Sequence, residues 1–246
     1  MTRAAWFASL ALFAGCVTTL EREASRAAAD GIDPEPLIAA LAARYEAIEA
    51  TKRIFDVTLI EGRRRFSGEG AVEYEAEPRR LSADVYGPQS TPILRVRLVG
   101  EQLTVALPQE GEVLTGELGD PQFAALTGER ALASPEALGA LLGAYDVRRL
   151  LDGSQWVSAA ADGGRRTLYI RRPEEIHALT VFGTEGRLVE YRQGRDGRLL
   201  YRVRFEDYRT VDGRESSRHT VLRDFTRDRQ LVIDVTRERE GDADGR

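Results

Sequence analysis

One cysteine and two histidines are the only residues of those two types in this 246-residue chain, and both types often carry chemistry at neutral pH. His177 and His219 each lie in a predicted strand, with no cysteine or carboxylate at metal-ligand spacing, so we interpret both as strand-face histidines. Ser67, Ser82 and Ser216-Ser217 lack the turn context of a catalytic nucleophile. The sequence therefore predicts neither a catalytic centre nor a metal site, and it implies no cofactor.

The single cysteine, Cys16, follows a segment with a different kind of signal. Residues 1–15 contain a positive charge at Arg3 and a short apolar run, which is typical of an export signal too short to span a bilayer. Ala14-Gly15 before the cysteine resembles the lipobox of bacterial lipoproteins, where the cysteine is acylated and becomes the mature N-terminus; Phe13 stands where the usual box has leucine. The alternative interpretation is an ordinary signal peptide in which the cysteine occurs by chance.

Acylation at Cys16 implies a lipid-anchored protein, because two or more acyl chains hold a protein on a membrane. In lipoproteins of this type an aspartate after the cysteine often marks retention at the inner membrane. Here that residue is Val17, so the resemblance implies the outer membrane, with the protein facing the periplasm. Residues 16–32, which are polar and rich in alanine, are predicted to form a lipidated tether.

Composition limits the classes of function. Charged residues make up 30% of the chain and hydrophobic residues 42%, which permits a sizeable core. The formal net charge of −5 argues against a nucleic-acid partner, which would need a basic face. A single cysteine excludes an internal disulfide and a cysteine-rich metal site.

The stretch from residue 63 to residue 107 alternates between apolar and polar positions. The alternation holds over residues 66–76, 81–85 and 95–98, and it is interrupted at Glu77-Pro78 and Gly87-Pro88. Period-two patterns separated by glycine and proline indicate antiparallel strands with one buried face and one solvated face.

Helix signals precede and interrupt the predicted strands. Asp33-Pro34-Glu35 predicts the start of a helix, which apolar residues at helical spacing extend to about Lys52. Asp120-Pro121 and Ser134-Pro135-Glu136 predict two further short helices. From residue 154 the period-two segments return, separated by tight glycine turns.

The order of these elements predicts a mainly β, α+β fold without βαβ units. We expect a strongly curved antiparallel sheet over residues 33–237, with an N-terminal helix and two further short helices on its concave side. Residues 238–246 are charged and rich in glycine, so we expect a disordered tail.

Six short segments, in this order and after the lipobox-like cysteine, resemble one known family. They are Phe66-Ser67-Gly68, Pro78-Arg79-Arg80-Leu81, Tyr86-Gly87-Pro88, Leu107-Pro108, Thr115-Gly116 and Leu138-Gly139-Ala140-Leu141-Leu142-Gly143. The chain resembles the LolA/LolB superfamily of lipoprotein-localisation factors and related outer-membrane lipoproteins. The resemblance implies an incomplete, unclosed β-barrel, in which the two short helices form a lid over an apolar cavity for lipoprotein acyl chains. The receptor branch of that superfamily has an exposed apolar residue on the loop after the third strand, whereas that loop is polar here, at Pro88-Gln89-Ser90-Thr91-Pro92.

The apolar faces of the strands and of the lid supply the predicted cavity wall. Its predicted residues are Phe66, Tyr74, Leu81, Val85, Val96, Leu98, Leu138, Leu142 and Leu168. The alternative is a closed core, because the walls of a core and of a cavity use the same residue types. The arginine pairs Arg165-Arg166 and Arg171-Arg172 indicate a solvated face or a protected strand edge, and contact with lipid headgroups is the alternative.

The sequence leaves two functional hypotheses open. The first is a non-enzymatic, lipid-anchored protein of the cell envelope that shields acyl chains of lipoproteins or lipids in the cavity and aids their localisation to the outer membrane. The second is a structural or interaction lipoprotein that uses the same fold as a scaffold for an envelope protein partner. Lipid bound to the purified protein would favour the first hypothesis, and a dry, filled core would favour the second.

Overall fold

The alternating segments of the sequence form strands in the computed structural model. The structure describes residues 19–118, 120–124, 135–183 and 186–240. Cys16 and the predicted signal segment lie outside these ranges, as do residues 241–246 of the predicted tail.

Within the described ranges, thirteen strands form one antiparallel sheet. The strands are β1 (Ala50–Glu61), β2 (Arg64–Glu75), β3 (Arg80–Tyr86), β4 (Pro92–Val99), β5 (Gln102–Leu107), β6 (Glu112–Glu117), β7 (Trp156–Asp162), β8 (Arg165–Arg171), β9 (Glu175–Phe182), β10 (Arg187–Arg195), β11 (Arg198–Val211), β12 (Arg214–Asp224) and β13 (Arg229–Glu240).

The first and last strands pair with each other in the middle of the sheet. The strand order is β6-β5-β4-β3-β2-β1-β13-β12-β11-β10-β9-β8-β7. All the other neighbouring strands are consecutive in the sequence and form hairpins. The two sheet edges, β6 and β7, are consecutive in the chain and are joined by the segment that contains the later helices. The sheet is an unclosed barrel, which confirms the predicted fold class.

The buried face follows from the period-two pattern. Leu81, Ala83 and Val85 of β3 are at most 2% exposed, and they alternate with partly exposed polar residues. Leu81 pairs directly with Leu98 of β4 across the sheet. Apolar side chains on one face therefore form a continuous inner wall from strand to strand.

Five α-helices and one 3-10 turn complete the described structure. They are α1 (Thr19–Asp30), α2 (Glu35–Glu46), the 3-10 turn Pro88–Ser90, α3 (Pro121–Ala124), α4 (Pro135–Leu142) and α5 (Val147–Leu151). The two predicted lid helices correspond to α3 and α4, and α5 was not predicted.

Residues 16–32 were predicted to form a tether, but residues 19–30 of this segment form helix α1. Leu20, Ala24 and Ala27 are spaced to form one apolar stripe, and each is at most 3% exposed. This stripe packs against Tyr169 and Ile176, which alternate with the core-facing residues of β8 and β9. Helix α1 therefore lies on the convex face of the sheet, whereas the sequence predicted helices on the concave side only. Small alanine side chains allow the close approach, although an alanine-rich segment had indicated a tether.

Helix α2 ends earlier than the sequence predicts. It stops at Glu46, and β1 begins at Ala50, because the chain from residue 50 onward already alternates in burial as a strand does. The start is as predicted: the Asp33 carboxylate accepts a hydrogen bond of 3.0 Å from the backbone N–H of Glu35. At the other end, the Arg44 guanidinium donates to the carbonyl oxygen of Glu215 at 2.9 Å, which fixes α2 on the strand ends.

The hairpin between β11 and β12 is longer than predicted, because its turn was missed. Both strands extend to Asp212-Gly213, where the backbone adopts φ angles of 49° and 81°. An aspartate followed by glycine favours this left-handed pair, and it forms a tight hairpin turn. The charged residues on either side had concealed the period-two pattern.

Glycine at position 70 allows a large ring to cross the inner face of the sheet. A β-carbon at Gly70 would lie 2.4 Å from the ring of Phe55 and 2.9 Å from the carbonyl oxygen of Asp84. Phe55 itself is 1% exposed and lies in the main core. The absence of a side chain at Gly70 is therefore a packing requirement of this part of the sheet.

We expect Gly70→Ala to destabilise the protein by about 1–3 kcal/mol, because the added methyl group overlaps Phe55 and a strand carbonyl. Urea unfolding followed by circular dichroism measures the change. Gly87→Ala is the matched control, since its β-carbon would meet its nearest neighbour, Ile93, at 3.4 Å. Equal stability of the two variants would contradict this account of Gly70.

Candidate functional site

A cavity of about 630 Å³ lies between the concave face of the sheet and helices α4 and α5. Its apolar wall comes from β2, β3, β4, the residue after β6, the two helices and the segment between them. The main apolar residues of the wall are Tyr74, Leu81, Leu98, Leu118, Leu138, Leu142, Ala144 and Leu150. The concave face is thus only partly filled by side chains, and the remaining volume falls in the range of ordinary ligand sites.

The nine residues predicted for the wall occupy two kinds of position. Those that line the cavity are Tyr74, Leu81, Leu98, Leu138 and Leu142. Val85, Val96 and Leu168 are at most 2% exposed and lie within the packed core, and Phe66 is a partly buried residue on its margin. As contacts of a ligand, all nine remain predictions.

Helix α4 reaches the cavity because a buried arginine holds its C-terminal end. Arg53, 3% exposed, donates from Nη1 to the carbonyl oxygen of Leu141 at 2.7 Å. Helix C-terminal carbonyls have no partner within the helix, so this contact satisfies one of them. At Gly143, directly after the helix, a β-carbon would lie 3.2 Å from the same guanidinium, and the φ angle there is 69°. Glycine therefore allows the chain to turn closely over Arg53.

The charge of Arg53 is balanced inside the protein. Its Nε donates to Oε1 of Glu238 at 2.9 Å, and its Nη2 donates to Oγ of Ser216 at 2.8 Å. Ser216 in turn donates to Oε2 of Glu238 at 2.5 Å, and Arg214 lies 3.2 Å from Oε1. Although burial opposes ionisation, Arg53 holds the pKa of Glu238 below its ordinary value. Glu238 was predicted to lie in a disordered tail; instead it belongs to β13, and its side chain is 1% exposed.

Tyrosines form a second part of the wall. The hydroxyl groups of Tyr45 on α2 and Tyr74 on β2 lie 3.3 Å apart, and burial together with this contact raises the pKa of Tyr74. Tyr145 stacks on Tyr191, with ring centroids 4.1 Å apart. The aromatic contacts join the segment after α4 to β10, which adds to the hold on the helical cover.

The end of the cavity at β9 and β10 is polar. His177, 3% exposed, places Nδ1 at 3.0 Å from the hydroxyl of Tyr191, which donates to Oε1 of Gln193 at 3.3 Å. Gln193 donates from Nε2 to Oε2 of Glu175 at 3.0 Å, and Arg195 forms an ion pair with Glu175. The arrangement offers hydrogen-bond donors and acceptors to the polar part of a ligand, beside the leucines that would contact hydrocarbon.

The second ring nitrogen of His177 is buried and lacks a well-aligned partner within the described structure. Nε2 lies 3.4 Å from Oε2 of Glu175, too poorly oriented for a full hydrogen bond. The interaction with His177, followed by that with Arg195, lowers the pKa of Glu175 to about 2, although burial opposes the shift. Glu175 therefore stays ionised throughout the neutral and mildly acidic range.

Sequence reasoning missed this polar group. It treated His177 as having no carboxylate nearby, although Glu175 is two residues away and alternation places both on one strand face. Gln193 is the direct cross-strand partner of His177. The spacing of Glu175 and His177 was the signal available in the sequence. The pairing of β9 with β10, which brings Gln193 next to His177, is seen only in the structure.

Three other features are absent among the described residues: a metal site, a serine or cysteine in the cavity, and a membrane-spanning helix. In the described ranges, no group of three or more His, Cys, Asp or Glu side chains is placed to hold a metal ion. The residues that line the cavity in the described structure include no serine or cysteine. Every helix in these ranges is too short or too polar to span a membrane.

Comparison with solved structures identifies the fold. The protein is similar to a DUF1329 family protein from Desulfovibrio piger, with a TM-score of 0.65 and 13% identity over 86% of this chain and 95% of that one. It is also similar to a LolA superfamily protein from Nitrosomonas europaea, with a TM-score of 0.60 and 11% identity over 86% and 95% of the two chains. The chain has a LolA/LolB-like fold.

A third solved structure supports the same conclusion. A domain from Vibrio parahaemolyticus, described as an outer membrane lipoprotein-sorting protein domain, matches with a TM-score of 0.65 and 8% identity over 86% of this chain and 94% of that one. No model of a known protein family matches the sequence, and no curated protein matches it. At these identities the similarity establishes the fold and not the activity.

We expect Arg53→Met to destabilise the protein by about 3–5 kcal/mol, because Glu238 would keep a buried charge without its main partner. Urea unfolding measures the loss. The neighbouring variant Lys52→Met removes only an exposed ion pair with Glu73 and should cost less than about 1 kcal/mol. A combined Arg53→Met and Glu238→Gln variant should lose less than the sum of the single variants; additive losses would show that the two side chains are not coupled.

Glu175 should contribute a pH-dependent part of the stability. Its pKa is about 2 in the folded protein and 4.5 in an ordinary setting, so its ionised form stabilises the fold above pH 4.5. That contribution is lost as the pH falls from 4.5 towards 2, and it amounts to at most about 3 kcal/mol. Urea unfolding over this pH range should show a smaller loss of stability in Glu175→Gln than in the unmodified protein, and equal losses would contradict the assignment.

Proposed function

We propose that the protein is a lipid-anchored protein of the cell envelope that holds an acyl chain of a lipoprotein or lipid in its cavity. In this role it aids the localisation of that cargo to the outer membrane. The observation that carries the proposal is the cavity of about 630 Å³ between the sheet and α4. The LolA/LolB-like fold is consistent with it, since one similar domain is described as an outer membrane lipoprotein-sorting protein domain.

The two ends of the cavity match the two parts of an acylated molecule. Leu81, Leu98 and Leu142 supply an apolar surface, and each methylene buried there contributes about 0.8 kcal/mol. His177 and Gln193 at the other end supply polar atoms for the ester or amide that joins the chain to its carrier. Burial alone drives binding in this scheme, and no bond is made or broken.

Entry and release of cargo require the helical cover to move. Strands β6 and β7 are not hydrogen-bonded to each other in the described structure, so the sheet is open along this side. Helix α4 packs on the central strands β12 and β13, and Arg53 of β1 donates a hydrogen bond to its Leu141 carbonyl oxygen. A cargo that displaces α4 has to break that contact, which adds to the free-energy cost of opening.

The anchor is the second part of the proposal. Cys16 lies three residues before the first described residue, and its acylation would place the cavity near a membrane from which lipid cargo comes or to which it goes. Treatment of cells with a labelled fatty acid, followed by mass spectrometry of the N-terminal peptide, identifies an acylated Cys16. An unmodified cysteine would remove the anchor from this proposal.

We expect lipid to co-purify with residues 17–246 when this segment is exported with a cleavable signal and purified without detergent. Organic extraction and mass spectrometry identify the bound molecule and its stoichiometry. Leu142→Asp should lower the bound amount at least about tenfold, because a carboxylate in an apolar wall costs more than 1.4 kcal/mol. Val99→Asp is the matched control, since Val99 is 56% exposed and does not line the cavity.

A second variant separates loss of lipid binding from loss of folding. Ala144→Phe fills part of the cavity without adding charge, and Ala144 is a lining residue that is 4% exposed. It should reduce the bound lipid while leaving the circular dichroism spectrum unchanged. Unmodified protein that emerges free of lipid, or folded variants that bind as much lipid as it does, would overturn the proposal.

A further inference from the structure

The cavity reaches the protein surface at one end of the sheet. Antiparallel pairing brings the starts of β7, β9 and β11 to the same end as the last residues of β8, β10 and β12. Two cavity-lining residues at this end, Arg195 and Thr226, are exposed to solvent. The opening therefore lies among these strand ends.

Two large aromatic side chains are exposed at this end of the sheet. Trp156, 38% exposed, begins β7 and pairs across the sheet with Arg171. Phe225, 41% exposed, lies in the turn after β12, and its backbone N–H donates at 2.9 Å to the carbonyl oxygen of Leu200, a cavity-lining residue. Exposed aromatic side chains beside a cationic group are typical of positions at a membrane–water interface.

Two arginines at the same end lack an internal partner. The guanidinium groups of Arg172 and Arg198 make no ion pair or hydrogen bond with any residue that the structure describes, and Arg172 lines the cavity. Glu174 and Asp196 in the same turns are also exposed, so the local charge is nearly balanced. These arginines suit individual phosphate groups better than a strongly anionic surface as a whole. We call Trp156, Arg172, Arg198 and Phe225 the cavity rim.

The start of the described chain lies at this same end. Leu20, near the beginning of α1, packs so closely on Gly194 of β10 that a β-carbon there would lie 3.1 Å from its Cδ2. Glu21 lies 3.1 Å from Nη1 of Arg171. Cys16 precedes Thr19 by three residues, a distance that an extended chain spans in about 10 Å. An acyl anchor at Cys16 therefore cannot lie far from the cavity rim.

We infer that the cavity rim docks on the phospholipid headgroup layer of the membrane that carries the anchor. Trp156 and Phe225 enter the interface, Arg172 and Arg198 contact lipid phosphates, and the cavity opens towards the bilayer. The inference rests on the proposed function, which supplies the anchor and the lipid cargo. It adds that cargo passes between cavity and bilayer directly, without the protein leaving the surface.

Tryptophan fluorescence can test this inference on the acylated protein. Trp6 precedes Cys16 and is removed when the anchor forms, so Trp156 is the sole tryptophan of the protein that begins at Cys16. The protein is reconstituted in vesicles of phosphatidylcholine and phosphatidylglycerol, with or without bromine on the acyl chains. We expect brominated lipid to lower Trp156 fluorescence about twofold or more, because the indole would lie at the membrane interface.

A matched reporter at the other end of the same sheet provides the control. In a Trp156→Phe and Phe182→Trp variant, the sole tryptophan replaces a side chain that is 46% exposed at the far end of β9. We expect no quenching there, whereas Phe225→Trp in the same background should be quenched. Substitution of both Arg172 and Arg198 by glutamine should weaken quenching at Trp156.

Leu142→Asp separates docking from cargo binding. This variant should lose cavity lipid but keep Trp156 quenching, since quenching comes from the bilayer and not from lipid in the cavity. Absent quenching at Trp156, or equal quenching at positions 156 and 182, would overturn the docking inference even if lipid still co-purifies. Quenching that disappears together with cavity lipid in Leu142→Asp would overturn it as well, because the quencher would then be the cargo.

Discussion

The pairing of β1 with β13 is the constraint on which the rest of the structure depends. It places the two terminal strands at the centre of the sheet, with Phe55 opposite Val235 and Val57 opposite Ile233. The edges of the sheet must then be β6 and β7, which are consecutive in the chain. The connection between them contains α4 and α5, and α4 packs on the central strands β12 and β13. The helical cover of the cavity is therefore the segment that joins the two sheet edges and not a separate domain.

The same pairing explains why a buried ion pair is found beneath the cover. Arg53 and Glu238 are register partners on β1 and β13, and both point to the concave side. A buried pair of this kind gives little net stability compared with apolar packing, but it strongly disfavours arrangements that separate its members. Because Arg53 also binds the carbonyl oxygen of Leu141, the position of α4 is tied to the correct alignment of the central strands. The buried ion pair thus specifies the register of β1 and β13, whereas apolar packing alone would allow the two strands to shift relative to each other.

Much of the fold was predictable from the sequence, because the alternation within its strands is regular. Residues 66–76 and 81–85 were assigned to strands from that pattern, and glycines within the strands indicated a strongly curved sheet. Long-range pairing was not predictable in this way: alternation shows which residues share a face, but not that Arg53 lies opposite Glu238. The same limit concealed the polar end of the cavity, since the contact of His177 with Gln193 depends on the register of β9 and β10. Whether Leu81 lines a cavity while Val85 lies in the packed core depends on where α4 lies, which no local pattern contains.

The pairing of β1 with β13 has a consequence for how the protein folds. Thr51 at the start of β1 pairs with Glu240 of β13, so this contact closes a loop that contains the eleven other strands of the sheet. The meanders β1–β6 and β7–β13 consist of local hairpins and can form as they emerge, but each is left with an unsatisfied edge until the other arrives. Until β13 forms, β1 remains an unpaired edge of the first meander, which exposes this meander to aggregation. The sheet is thus complete only when its last strand has paired with its first.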